Sequence, residues 1–232
     1  MHPTGISDAA LGGLNDLVAG TFLVLALGIV ATRQIQAVLK IWIAQALCLA
    51  ASAFLLAAHY RSGDLLAVGL INVVTKLLLI PWLLRRYLSG ELYTLREINQ
   101  SINVSMSLLL SLALIGFGFA VAHGLLRDAP PDRFASSNLP IGIAGLLLGA
   151  YTVSVRREAL AQMLGLLAME NAAFFAGVAL VPDLPLIAEL AAALDLLVIA
   201  LVLGVLTRAI HEHVGSTEVA ELARLREGGH AR

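Results

Sequence analysis

The sequence contains few charged residues for its length. Only 13% of its 232 residues are charged, whereas 59% are hydrophobic and the mean hydropathy is +0.88. A soluble domain is about one quarter charged, so this scarcity excludes an ordinary soluble domain. The short alternating segments of a membrane β-barrel are also lacking. The composition therefore predicts an all-α polytopic membrane protein.

Several kinds of functional site are also absent from the sequence. Cys48 is the single cysteine, which excludes a disulfide or a cysteine metal site. A net charge of −1 without a basic patch does not indicate binding to nucleic acid. We find no P-loop, dinucleotide fingerprint or nucleophile elbow, and no Lys or Arg precedes the first apolar run, which argues against a cleaved signal peptide. The histidines fall in predicted loops or tails, so we expect no haem, metal or other cofactor in this chain: positions 2, 59, 123, 211, 213 and 230.

The apolar runs predict about seven transmembrane helices, each near the roughly 20 residues that a bilayer requires. They span residues 14–31, 35–58, 65–84, 104–122, 139–155, 160–181 and 186–210. We expect an interfacial helix in 87–103, an extended loop in 127–138 and tight turns at 156–158 and 182–185. These boundaries predict four regions: an N-terminal three-helix region 1–103, a fourth helix with its loop 104–138, a three-helix region 139–210, and a polar cytoplasmic tail 211–232 with a short helix.

The distribution of arginine predicts the orientation in the membrane. With the N-terminus outside, the inner side would hold ten arginines, at 33, 85, 86, 96, 156, 157, 208, 224, 226 and 232. The outer side would hold three, Arg61, Arg127 and Arg133, with acidic residues close to each. We therefore predict that the N-terminus lies outside and the C-terminus in the cytoplasm.

Two carboxylates interrupt the last two predicted spans. Glu170 lies 13 residues after Arg157, and Asp195 lies 13 residues before Arg208. At 1.5 Å per residue, both would lie roughly 20 Å from the cytoplasmic arginines on neighbouring antiparallel helices. A carboxylate at this depth costs about 3 kcal/mol on insertion scales, and such residues commonly mark proton or ion paths. We predict that both are protonatable relays, against the alternative of a neutral acid that only hydrogen-bonds between helices.

Lys76 is a third charge at bilayer depth. It lies nine residues before Arg85, roughly 14 Å at the helical rise, which is deep for a snorkelling side chain. We therefore expect a carboxylate partner or a water cavity beside it. Asn72 lies one turn earlier on the same face, and Pro81 would free a backbone carbonyl and could kink the helix.

Other polar residues within the spans carry weaker predictions. Asn171 could orient or hydrate Glu170, or it could hydrogen-bond between helices. Glu189 lies near the outer end of the last span and is predicted to be an entrance or interface residue and not a central relay. Lys40, closer to the inner surface, is expected to snorkel, with ion transfer as the lesser alternative. Gln45 is expected to hydrogen-bond between helices. Gly145 and Gly149 form a small-xxx-small pair that favours close helix packing.

Two segments of the chain resemble known membrane proteins. The sequence from Leu146 to Ala172, with an arginine turn followed by Ala168-Met-Glu-Asn, resembles the K subunit of respiratory complex I, in which two successive helices each carry an acid. Asp195 stands where that protein has Glu. Over nearly its full length, with Val74-Thr-Lys-Leu-Leu-Leu-Ile-Pro and Ala168-Met-Glu-Asn, the chain resembles the E-type membrane proteins of hydrogenase-4 and formate hydrogenlyase.

The resemblance implies a non-catalytic subunit in the bacterial or archaeal cell inner membrane. Its partners would be antiporter-like subunits, a complex I H-like subunit, and the hydrogenase and iron–sulfur subunits that hold the redox cofactors. Glu170, Asp195 and Lys76 would contribute to a polar axis for proton or sodium translocation. The alternatives are a purely structural scaffold subunit and a stand-alone small transporter or antiporter.

Overall fold

The chain forms a bundle of long apolar helices. The computed structural model describes residues 8–87, 98, 102–127 and 132–180. These residues form α1 (Asp8–Ala31), α2 (Ile35–Tyr60), α3 (Gly63–Asn72), a π-helical segment (Val73–Leu79), α4 (Ile80–Tyr87), α5 (Val104–Leu126), α6 (Arg133–Val155) and α7 (Ala159–Leu180). They contain no β-strand. The all-α fold is therefore confirmed.

α3, the π-helical segment and the start of α4 form one continuous helix, which we call the third spanning helix. Counted in this way, the described residues contain six helices that are long and apolar enough to cross a membrane. This fits the predicted multi-pass membrane protein. The predicted seventh span, 186–210, and the predicted tail helix lie outside the described residues, as does most of the predicted interfacial segment 87–103.

The helices run back and forth between two ends. We call the end that holds Arg33 and Arg156 the arginine end, and the end that holds Asp8, Asp16 and Asp132 the acidic end. α1, α5 and α6 pack together, while α2 contacts α1, the third spanning helix and α7. The most extensive interface joins α6 to α7. α5 is peripheral and leaves most of its apolar side chains exposed.

One predicted boundary is wrong. The sequence indicated an extended loop over 127–138, but α6 begins at Arg133. The Asp132 carboxylate accepts hydrogen bonds from the backbone N–H groups of Phe134 and Ala135, as an N-cap residue does. Pro140 lies within the helix. The additional turns place Asn138 inside the bundle, where it is fully buried.

Candidate functional site at a buried ion pair

Lys76 and Glu170 meet in the interior of the bundle. The Nζ atom of Lys76 lies 2.9 Å from Oε1 of Glu170, and the two side chains are 0% and 10% exposed. Each charge lies near the middle of its helix, so the pair joins the third spanning helix to α7 far from either end. The expected carboxylate partner for Lys76 is therefore present within this chain.

The backbone around Lys76 is π-helical. Hydrogen bonds in this segment close over five residues, as shown by the N–H of Ile80, which donates to the carbonyl of Thr75. Pro81, which follows, has no N–H to donate. Pro81 was noted in the sequence as a residue that could kink the helix, and the structure has a π-helical segment immediately before it. Short π segments within α-helices are frequent at functional sites.

Phe174 also lies close to the ammonium of Lys76. The centre of its ring lies 4.9 Å from Lys76 Nζ, within the range of a cation–π contact. Phe174 follows Glu170 by four residues, so both side chains lie on the same face of α7. This face of α7 therefore offers the lysine a negative charge and an aromatic ring.

Three amide side chains lie at the same level of the bundle. Gln45, Asn72 and Asn171 are at most 1% exposed. Within the described part of the chain, the amide nitrogen and oxygen of Gln45 and of Asn171 have no hydrogen-bond partner. Oδ1 of Asn72 has none there either, while its Nδ2 donates to the Val68 carbonyl over 2.9 Å. Buried polar atoms are rarely left without partners. We call Gln45, Asn72, Lys76, Glu170 and Asn171 the ionic layer.

Apolar residues enclose the ionic layer on both sides. On α2, the third spanning helix and α7 alike, the residues nearer the arginine end belong to one hydrophobic cluster and those nearer the acidic end to another. The first includes Trp42, Ile80 and Leu167, and the second includes Leu49, Val68 and Ala172. Polar groups therefore form a band across three helices, with an apolar barrier above and below.

Glycines hold α7 close to α6 and so fix the height of Glu170. A Cβ atom on Gly142 would lie 2.7 Å from the backbone of Ala176, and one on Gly149 would lie 2.8 Å from the backbone of Met169. A Cβ atom on Gly145 would lie 2.9 Å from the Cβ atom of Ala172. Distances this short require the helices to separate. The close packing predicted from Gly145 and Gly149 is confirmed, and Gly142 extends it by one turn.

A second buried polar group lies nearer the acidic end and was not predicted. Asn15 Nδ2 donates to Asn138 Oδ1, Asn138 Nδ2 donates to Ser52 Oγ, and Ser52 Oγ donates to Asn15 Oδ1, each over 2.8 Å. We call this set the polar ring. It ties α1, α2 and α6 together. Asn15 was a visible signal because it interrupts the first apolar run, but Asn138 was assigned to a loop.

Arg156 differs from the expected surface arginine. It lies in the predicted turn between α6 and α7, but its side chain is only 1% exposed. Its guanidinium donates to the backbone carbonyls of Ile29 and Thr32 at the end of α1. Burial lowers the pKa of Arg156 to about 10, partly offset by the nearby Glu158 carboxylate. Because this value is well above 7, the charge remains and can stabilise the C-terminal end of α1.

The remaining predicted site residues fall into two groups. Lys40 is exposed on α2 near the arginine end, in agreement with the expected snorkelling position. Asn171, which follows Glu170 in the sequence, is fully buried. Asp195 and Glu189 lie outside the described residues. Among the described ranges, no group of His, Cys, Asp and Glu side chains is arranged to hold a metal ion.

The chain has a relative that matches it over nearly its full length. The uncharacterized protein Rv0085 of Mycobacterium tuberculosis is 29% identical over 222 residues, which cover 96% of this chain and 100% of that protein. No family model matches the chain, and no solved structure matches it. The name of this relative states no activity.

Proposed function

We propose that this protein is an integral membrane subunit of a complex I-related assembly of the hydrogenase-4 or formate hydrogenlyase type. In it, Lys76 and Glu170, together with Asp195, contribute to proton or sodium translocation that is coupled to electron transfer. The observation that carries the proposal is the buried Lys76–Glu170 pair, with 2.9 Å between Nζ and Oε1. The resemblance to the E-type membrane proteins of hydrogenase-4 supplies the type of assembly.

The chemistry of the pair supports a role in moving charge. Burial disfavours the charged form of each group, whereas the partner favours it, so the two effects oppose each other. Transfer of one proton from the ammonium to the carboxylate converts the ion pair into a neutral amine and a neutral acid, and the net charge is unchanged. Glu170 could then release that proton toward one side, and Lys76 could be reprotonated from the other. Each group thus holds a proton at a different stage.

The location of the pair supports a lateral path. Apolar clusters lie between the ionic layer and both ends of the bundle, so the polar groups do not extend as a continuous pore through the described residues. Asp195, on the predicted seventh span, would extend the layer sideways. Antiporter-like and complex I H-like partners would continue it, with the N-terminus outside and the C-terminus in the cytoplasm. The redox cofactors would be held by the hydrogenase and iron–sulfur partners in this cell-membrane complex.

The test uses the assembled complex in its native membrane. With Glu170→Gln, electron transfer should persist while coupled ion pumping falls at least tenfold, because the amide cannot accept the proton. Asp64→Asn is the matched control, since it removes an exposed carboxylate at the start of α3 and should pump normally. Normal pumping by an assembled Glu170→Gln complex would contradict the relay.

A structural role is the second candidate, because the same ion pair joins two helices. A purely structural scaffold subunit would require the pair for assembly but not for pumping. Substitution by an apolar pair, Lys76→Met with Glu170→Leu, separates the two roles. A scaffold predicts normal pumping in the assembled double variant, whereas the relay predicts none. A stand-alone transporter would instead purify alone and remain transport-active.

A further inference from the structure

An apolar groove lies on the outside of the bundle, between α2 and the third spanning helix. Its volume is about 930 Å³, which is within the range of pockets that hold a small organic ligand. Among the described residues, Ile43 lines it from α2, and Val74, Leu78, Pro81 and Trp82 line it from the third spanning helix. Val74, Leu78 and Trp82 are each more than half exposed. The groove is therefore open to the surroundings of the bundle.

The π-helical segment and the start of α4 supply one long wall of the groove. Val74, Leu78 and Trp82 follow one another at intervals of four residues, so they form one stripe along the helix. At 1.5 Å per residue, the stripe extends for roughly 12 Å. It begins next to Lys76 in the sequence and runs toward the arginine end. The groove therefore belongs to the half of the bundle that is nearer the arginine end.

Basic residues stand at the arginine end of both walls. On α2, Lys40 comes three residues before Ile43, hence on the same face of the helix, and it is exposed. On the opposite wall, α4 continues beyond Trp82 to Arg85 and Arg86. A lysine near the end of a spanning helix packs its stem on apolar surface and directs its charge to the membrane interface. The groove is thus apolar along its length and bordered by positive charge at one end.

We propose that the groove binds one anionic phospholipid, with an acyl chain along the stripe of Val74, Leu78 and Trp82 and the phosphate at Lys40. Such a lipid is apolar over most of its length and negative at one end, so it matches the groove in both respects. Basic pockets between spanning helices bind anionic head groups in the same manner. An apolar helix of another subunit would match the wall of the groove but not its charge. The inference is independent of ion translocation.

Trp82 allows the groove to be observed directly, because bromine atoms on an acyl chain quench the fluorescence of a tryptophan that they contact. Of the two tryptophans in the chain, Trp42 is fully buried and Trp82 is exposed. The difference between the wild-type chain and Trp82→Phe therefore gives the Trp82 signal. The full-length chain is reconstituted into phosphatidylcholine bilayers with increasing amounts of brominated phosphatidylglycerol or, in parallel, brominated phosphatidylcholine. We expect phosphatidylglycerol to bind at the groove at least fivefold more tightly.

Four variants separate the charge from the shape of the groove. Lys40→Ala should lower the preference for phosphatidylglycerol about fivefold, as expected for one basic residue near a membrane surface. Arg157→Ala is the matched control, since it removes an exposed charge at the same end, between α6 and α7, and should keep the preference. Val74→Phe narrows the groove and should weaken the binding of both lipids. Val24→Phe, at a valine of α1 that is also more than half exposed, should not.

Four results would overturn the inference. The first is equal binding of the two lipids by the wild-type chain, and the second is a preference that Lys40→Ala leaves unchanged. A loss in Arg157→Ala as large as that in Lys40→Ala would show that the general surface charge attracts the lipid. A chain that sediments as a dimer and whose Trp82 is quenched by neither lipid would assign the groove to a second copy. Coupled pumping enters none of these readouts, so this inference and the proposed function can fail independently.

Discussion

The ionic layer and the polar ring are both buried in the same helix bundle, but they are built differently. In the polar ring, three neutral side chains satisfy each other in a closed set of hydrogen bonds at 2.8 Å. In the ionic layer, two opposite charges meet, while the buried amides of Gln45 and Asn171 have no hydrogen-bond partners among the residues that the structure describes. The two sets also join different helices, with α2 common to both.

The difference separates a structural cluster from a candidate working site. The ring is neutral, and each of its three side chains both donates and accepts a hydrogen bond within the set. Such a ring can specify how helices pack. A buried ion pair often stabilises a fold no better than a well-packed apolar pair would. In the proposed function, the pair would instead serve the exchange of protons.

The largest expected effect on stability comes from breaking the ion pair on one side. Glu170→Gln leaves the Lys76 ammonium buried without its carboxylate, and the free energy of unfolding should fall by about 3–5 kcal/mol. The double variant Lys76→Met with Glu170→Leu should recover most of this loss, because no charge remains. Reversible unfolding in mixed micelles measures both. If the single and the double variant lost the same free energy of unfolding, the loss could not be due to the unpaired Lys76 charge.

A smaller loss is expected where α6 and α7 are closest. The Cβ of Gly149→Ala would lie 2.8 Å from backbone atoms of Met169, so the helices must move apart, at a cost of about 1–3 kcal/mol of unfolding free energy. Gly177→Ala is the matched control on α7, because nothing lies within 4 Å of its added Cβ. Equal unfolding midpoints for the two variants would argue against this close approach. Such a shift should also weaken the alignment of Glu170 with Lys76.

The polar ring should respond to substitution in stability but not in ion transfer. Ser52→Ala removes the donor to Asn15 and the acceptor for Asn138, and we expect a loss of about 1–2 kcal/mol, the upper range for hydrogen bonds between membrane helices. The double variant Ser52→Ala with Asn138→Ala should lose less than the sum of the two single losses, because the ring acts as a unit. Impaired pumping in a fully assembled Ser52→Ala complex would remove the contrast between the two sets.

The smallest effect is expected at the acidic end of the bundle. Arg133 Nη2 lies 2.9 Å from Asp16 Oδ2, but the two side chains are 52% and 43% exposed. Exposed ion pairs contribute about 0–1 kcal/mol, so Asp16→Asn should change the free energy of unfolding by less than about 1 kcal/mol, and high salt should reduce the change further. A loss as large as that of Glu170→Gln would mean that burial does not decide the strength of ion pairs in this protein.

The residues of the site that could be predicted from the sequence are those whose charge interrupts an apolar run. Lys76 and Glu170 stand out because a charge in an apolar run is rare. Their mutual contact could be anticipated only as a need for some carboxylate, since hydropathy does not indicate which helices are neighbours. The turn that holds Arg156 was predicted, but the burial of its side chain was not. An arginine in a turn is usually solvated, and only the tertiary structure shows that it reaches the carbonyls of α1.

Backbone features were harder to predict than charges. A π-helix and an α-helix have the same apolar composition, so the sequence around Lys76 offered only Pro81 as a sign of irregularity. The start of α6 was misplaced because Pro130, Pro131 and Arg133 are typical of a loop, although Asp132 is a good N-cap residue. The polar ring was overlooked as a consequence, because Asn138 was placed before the helix.

The π-helical segment Val73–Leu79 makes the geometry of the site sensitive to chain length. A π turn contains one more residue than an α turn, since its hydrogen bonds close over five residues instead of four. Deletion of a single residue from this segment before Lys76 would allow an ordinary α-helix with little change in its span. It would also turn the lysine around the helix axis, by a part of the roughly 100° that separates successive residues of an α-helix, away from Glu170. In related chains, an aligned lysine therefore corresponds to Lys76 only where the number of residues in this turn is also preserved.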